Sequence, residues 1–126
     1  MPYLVDSDVM VDLTRGNIGA ADYLDGLTTG WSISAITCLE LLAGARTQRE
    51  TVDLDLVLSG YRAIPPNEDI GRRAYYLMKT YARSHGLQTL DALIAATAIE
   101  EGLTLVSKNR KHFQMIGDLK LDMPNY

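Results

Sequence analysis

Four short apolar runs recur along the chain with helix-length segments between them: Pro2-Tyr3-Leu4-Val5, Trp31-Ser32-Ile33-Ser34, Tyr61-Arg62-Ala63-Ile64 and Leu103-Thr104-Leu105-Val106. Each has the length of a buried strand, and parallel pairing requires crossover connections of this size, usually helical. Helices are expected over 7–14, 18–27, 37–45 and 48–58. The most regular one starts at the N-cap Asn67, repeats Ile70, Ala74, Leu77, Met78 and Tyr81 at helical spacing, and ends at Gly86. Another is expected from Thr89 to Gly102, with a helical turn over 109–114 and a weak edge strand over 119–121. Alternating strands and helices predict an α/β three-layer sandwich, a mostly parallel sheet of four to five strands flanked by helices on both faces. At 126 residues, positions 1–126 form a single domain with no linker or repeat.

The same pattern leaves acids in apolar surroundings. Asp6 closes Tyr3-Leu4-Val5, Glu40 lies inside Ile36-Thr37-Cys38-Leu39-Glu40-Leu41-Leu42, and Asp91 opens Asp91-Ala92-Leu93-Ile94-Ala95-Ala96. A partly desolvated carboxylate is costly without a hydrogen bond, a cation or a metal. Helices joining parallel strands have their N-termini at the carboxyl edge of the sheet, where open α/β folds bind ligands. Asp6 is expected at the end of the first strand. Glu40 and Asp91 are each expected in the first turn of a helix at that edge. Ser107 and Asn109 follow the fourth strand, and Asp8 joins the acidic group. Carboxylates about 5 Å apart repel by roughly 3 kcal/mol at an effective dielectric of 20, and a helix dipole offsets only about 0.3–1 kcal/mol. A divalent cation held by Asp6, Glu40 and Asp91 is the natural remedy, and all-oxygen ligation suits Mg²⁺ or Mn²⁺.

Each acid also has an ordinary explanation. Thr37 and Glu40 fit a capping box, Asp91 suits the first turn of a helix capped by Thr89, and Asp6 suits the cap of the helix beginning at Ser7. Asp8 reads as a helix-start or supporting residue. His85 and His112 read as surface residues without a partner at metal-ligand spacing. Arg46, Lys108 and Arg110 read either as solvated cations or as phosphate contacts. The net charge of −4 argues against a polyanionic substrate until four rim acids are set against bound cations; the remaining twelve then match the twelve Lys and Arg. Cys38 is the single cysteine and reads as a reduced core thiol of a cytoplasmic protein. No apolar run approaches the ~20 residues of a membrane span, and no membrane association is expected.

Four stretches taken in order resemble the motifs of PIN-domain ribonucleases: Val5-Asp6-Ser7-Asp8-Val9-Met10-Val11, Ser34-Ala35-Ile36-Thr37-Cys38-Leu39-Glu40-Leu41, Leu90-Asp91-Ala92-Leu93-Ile94-Ala95-Ala96-Thr97-Ala98 and Leu105-Val106-Ser107-Lys108-Asn109. Among these ribonucleases the chain is most similar to VapC-type toxins, nearly end to end. The resemblance implies a PIN-like fold and a Mg²⁺- or Mn²⁺-dependent endoribonuclease. It places Asp6, Glu40 and Asp91 around the metal, with Ser7 and Ser107 as supporting hydroxyls. Asn109 departs from the Asp that many relatives carry; its implied role is to orient a water or a phosphate. RNA as substrate, a cognate VapB-type antitoxin and a homodimer are implied as partners.

Two other functions compete. In a phosphatase of the haloacid dehalogenase type, Asp6 would be the nucleophile of Asp6-Ser7-Asp8, and Gly117-Asp118-Leu119-Lys120-Leu121-Asp122 the acidic metal motif. That motif should follow a buried strand, and the scheme leaves Glu40 and Asp91 idle. A non-catalytic PIN-like binding protein is the other, suggested by Asn109.

Overall fold

The computed structural model describes residues 2–126. Strands β1 (Tyr3–Val5), β2 (Trp31–Ser34), β3 (Ala63–Ile64), β4 (Thr104–Val106) and β5 (Leu121–Asp122) form one sheet in the order β3-β2-β1-β4-β5. Every pairing is parallel, with Tyr3 opposite both Trp31 and Thr104, Ile33 opposite Ala63, and Leu105 opposite Leu121. The helices are α1 (Ser7–Thr14), α2 (Ile18–Asp25), α3 (Ala35–Ala43), α4 (Gln48–Leu58), α5 (Glu68–His85), α6 (Thr89–Glu100) and α7 (Arg110–Phe113). The expected α/β layers are present, and the edge strand lies at 121–122 rather than 119–121.

Successive strand residues point to opposite faces of a sheet, so each strand feeds two cores. Leu4 and Leu105 join Ile64, Ile70, Leu77, Ile94 and Phe113, which places α5 and α6 on that face. Val5, Ile33 and Val106 join Val9, Met10, Leu24, Leu41 and Leu58, which places α1, α2 and α4 on the other. Helix α6 buries Ala92 and the whole stretch Ile94–Ala98, so it has almost no polar face. Burial of these residues fixes the helix axis, and with it the partly exposed first turn that carries Asp91.

Local chemistry sets most boundaries. Asp6 caps α1 as expected, its Oδ1 accepting from the Ser7 N–H at 2.8 Å, and Asn67 caps α5 through the Ile70 N–H at 2.9 Å. Two expected caps are corrected. Helix α3 begins directly after β2, because Ser34 Oγ accepts from the Ile36 N–H at 3.0 Å and serves as N-cap. Thr37 is therefore inside the helix and fully buried, and Glu40 stands in the second turn, outside any capping box. Helix α6 is preceded by Gln88 with no side-chain cap, and Thr89 is its first residue.

Gly86 ends α5 at φ +68°, in the left-handed region that a Cβ disfavours, with open space around it. Gly86→Ala is expected to cost about 1 kcal/mol from backbone strain alone. Urea unfolding measures this, and an unchanged midpoint would contradict it.

Candidate active site

The turn from β1 into α1 brings Asp6 to the carboxyl edge of the sheet at 5 % exposure. Its backbone N–H is anchored to Val106 O at 2.9 Å, and its carboxylate receives Ser107 Oγ on Oδ2 at 2.8 Å and the Ser7 N–H on Oδ1. Ser107 is itself fully buried, because it directly follows β4, the neighbour of β1. Asp8 Oδ2 lies 3.5 Å from Ser107 Oγ and accepts from the Lys108 N–H at 2.9 Å. Two neighbouring parallel strands thus end in one interlocked set of hydroxyls and carboxylates.

Glu40 reaches this set from α3. Ser7 Oγ donates to Glu40 Oε1 at 2.6 Å and stands 3.3 Å from the buried Thr37 Oγ1. Asp91 comes from α6 and faces His112 of α7, Oδ2 to Nδ1 at 3.0 Å. The exposed Asn109 sits on the same turn as Ser107, its N–H donating to Ser107 Oγ at 3.0 Å.

Electrostatics tie the four acids together. Burial, with the charges of Asp8 and then Asp91 nearby, pushes the Asp6 carboxyl up to about 7 against the opposing hydrogen bonds from Ser107 and Ser7. Burial raises Asp8 as well. Asp91 is raised by burial and by the charges of Glu40 and Asp8, with His112 acting the other way. Among the described residues no three His, Cys, Asp or Glu side chains are grouped so that they could hold a metal ion. The donor chemistry still fits a hard divalent cation: every rim donor is an oxygen, and a bound cation offsets both the burial that raises Asp6, Asp8 and Asp91 and the lesser effect of their neighbouring charges.

The three cations read either as solvated or as phosphate contacts have separate neighbours. Lys108 Nζ lies 2.6 Å from Asp12 Oδ2, and Arg110 Nε lies 3.2 Å from Met123 Sδ. Arg46 is exposed beside a groove of about 570 Å³ that runs from Glu40 between α1, α3 and α4, past Arg15, Glu50 and Asp53. His112, read from the sequence as a surface residue with no partner at metal-ligand spacing, is half exposed and contacts Asp91. Thr37, read as a cap, belongs to the Ser7–Glu40 contact. Asp12 and Tyr126 gave no sequence signal. The phosphatase motif fails on its surroundings: Asp118 is exposed and pairs with Arg73 at 3.7 Å, and no strand immediately precedes it.

An all-parallel sheet with acids at the end of β1, within α3 and at the start of α6 is the arrangement of a PIN domain. The PIN domain family model matches residues 3–118, and the chain belongs to that family. It is 41% identical over 123 residues to Ribonuclease VapC10 of Mycobacterium tuberculosis, covering 93% of this chain and 90% of that protein. Among solved structures it resembles a toxin-antitoxin complex from Klebsiella pneumoniae, with 28% identity, a TM-score of 0.83 and 98% of each chain covered. It also resembles VapBC2 from Rickettsia felis bound to a DNA fragment from its promoter, with 26% identity, a TM-score of 0.86, and 99% and 100% coverage.

Proposed function

We infer that this chain is a metal-dependent endoribonuclease of the VapC type, a growth-inhibiting toxin neutralised by a VapB-type antitoxin in the cytoplasm. The carrying observation is Asp6, a nearly buried carboxylate pushed up to about 7 by burial and by the charges of Asp8 and Asp91, in a chain 41% identical to a named ribonuclease. Asp6, Glu40 and Asp91 would hold Mg²⁺ or Mn²⁺. When bound, such an ion polarises the phosphodiester and makes water a better nucleophile at neutral pH.

The chain's own residues do the positioning. Ser107 and the Ser7 N–H lock both Asp6 oxygens, and Ser7 Oγ orients Glu40. Fixing ligand oxygens through hydrogen bonds spares the site from reorganising as charge develops. Asn109, exposed on the turn beside Asp6, would orient a phosphate oxygen or a water. Lys108, Arg46 and Arg110 would contact flanking phosphates. The groove leading to Glu40, lined by Glu50 and Asp53 and by Arg15 and Arg46, would seat an antitoxin segment whose basic groups meet the three acids. A homodimer is the proposed assembly. No helix among the described residues is long and apolar enough to cross a membrane, and Cys38 is a free, partly buried thiol.

Incubating the purified chain with pooled tRNA and ribosomal RNA tests the proposal. Discrete fragments are expected with Mn²⁺ or Mg²⁺ and none with EDTA. Equal cleavage under chelation would refute it, as would intact RNA under every metal.

A further inference from the structure

One network starts at the rim and runs outward from it along the Lys108 side chain. Lys108 stands between Ser107, which donates to Asp6, and Asn109, whose N–H returns to Ser107 Oγ. Both ends of Lys108 are held: its N–H donates to Asp8 Oδ2 at 2.9 Å, and its Nζ lies 2.6 Å from Asp12 Oδ2. Tyr126 Oη donates to the same Asp12 oxygen at 2.7 Å, and Lys108 Nζ lies 5.2 Å from the centre of the Tyr126 ring. The seat for Tyr126 is made by Gly19 in α2, where an added Cβ would come within 2.8 Å of Tyr126 Cβ.

These contacts have a consequence for charge and for freedom. An ammonium carries three N–H donors; Asp12 takes one and the Tyr126 ring lies 5.2 Å away as a cation–π neighbour, which leaves donor capacity for an anion. The Lys108 side chain remains 43% exposed, so an anion can reach it. A free lysine loses rotamer freedom when it grips a phosphate, whereas this one is ordered before substrate arrives.

We propose that Asp12 and Tyr126 are positioning residues that hold the Lys108 ammonium beside the Asp6 rim, where it engages a phosphate flanking the cleaved bond of an RNA strand. This rests on the ribonuclease function proposed above. It assigns a role to two side chains that contact neither metal nor reacting atoms, and it makes Lys108 a preordered anchor rather than a solvated cation.

The test is steady-state cleavage of the pooled tRNA and ribosomal RNA in Mn²⁺, with thermal melts as a control on folding. Lys108→Met is expected to raise KM about tenfold and to flatten the salt dependence by about 0.7, the value of one single-strand phosphate contact. Tyr126→Phe keeps the ring and removes the Asp12 hydrogen bond; KM should rise about threefold with kcat within about twofold, as for lost uniform binding. Gly19→Ala displaces Tyr126 without touching the rim and should do the same. In a Lys108→Met background neither variant should have any further effect. Additive effects in that background would overturn the proposal. So would a lower KM for Asp12→Asn, which would mean that Asp12 shields Lys108 from RNA rather than presenting it. Wild-type chain that cleaves no RNA would instead refute the ribonuclease function, and this proposal with it.

Discussion

Asp6→Asn is expected to lower RNA cleavage by about 10³-fold while making the metal-free protein more stable at neutral pH. The amide is isosteric with the carboxylate. It keeps an oxygen for the Ser7 N–H, and its NH₂ can donate to Ser107 Oγ once that hydroxyl rotates. What disappears is one negative charge at a site 5 % exposed. Removing that charge deprives the rim of its central anion, and no neighbouring acid can move into its place, because Asp8, Glu40 and Asp91 are each held in their own positions by hydrogen bonds. The same removal relieves the folded state of a desolvated charge, so loss of activity and gain of stability should appear together. Fragment yield on RNA gels and a melting curve in EDTA measure the two. Turnover by the variant at the wild-type rate would sink the assignment of Asp6, and an unfolded variant would show that the Asp6 hydrogen bonds sustain the fold.

The metal-free protein should also lose stability as pH rises, the reverse of the usual carboxylate behaviour. Asp6 titrates at about 7 when folded against an ordinary value of 3.8, so the folded state holds its proton more tightly than the unfolded chain does. Stability from this group is complete below about pH 4 and is lost as pH climbs through 7. Between pH 5 and 8 the loss is about 2.6 kcal/mol, since the slope of 1.36 kcal/mol per pH unit acts only up to the folded value near 7. That should lower the melting midpoint by roughly 10 °C for a domain of this size. Asp12, whose carboxyl is held below its ordinary value first by its Lys108 hydrogen bond and then by Tyr126, is ionised throughout this window and adds no slope. Asp8 and Asp91 are shifted in the same direction as Asp6, by burial first, so their contributions have the same sign. Asp6→Asn should flatten the profile, and Mn²⁺ at about 100 times its dissociation constant should restore about 2.7 kcal/mol at pH 8. A wild-type profile parallel to that of the variant would show that Asp6 ionises in the fold without cost.

Much of this protein could be read from local chemistry. The alternation of apolar runs with helical periodicity determined the layers, since a strand and a helix are chosen by the spacing of apolar residues over a few positions. Asp6 as a cap, Asn67 as a cap and Gly86 as a helix end were equally legible, because each acts on backbone groups within about four residues. The acids at the carboxyl edge followed from connectivity, since parallel crossovers bring every such helix start to one rim.

Tertiary structure decided what those signals could not. Ser34, rather than Thr37, starts α3, because β2 runs straight into the helix and the strand pairing fixes where it ends; this moved Glu40 into the second turn and left Thr37 against Ser7. His112 meets Asp91 only because α7 folds back over the start of α6. Asp12 lies 96 residues from Lys108 and 114 from Tyr126. No periodicity or cap extends across such separations. Contacts of that kind exist only once the order of the five strands brings β1, β4 and the segment after β5 together, so the sequence by itself determined the layers and the acidic rim, while the packed sheet determined which side chains hold that rim in place.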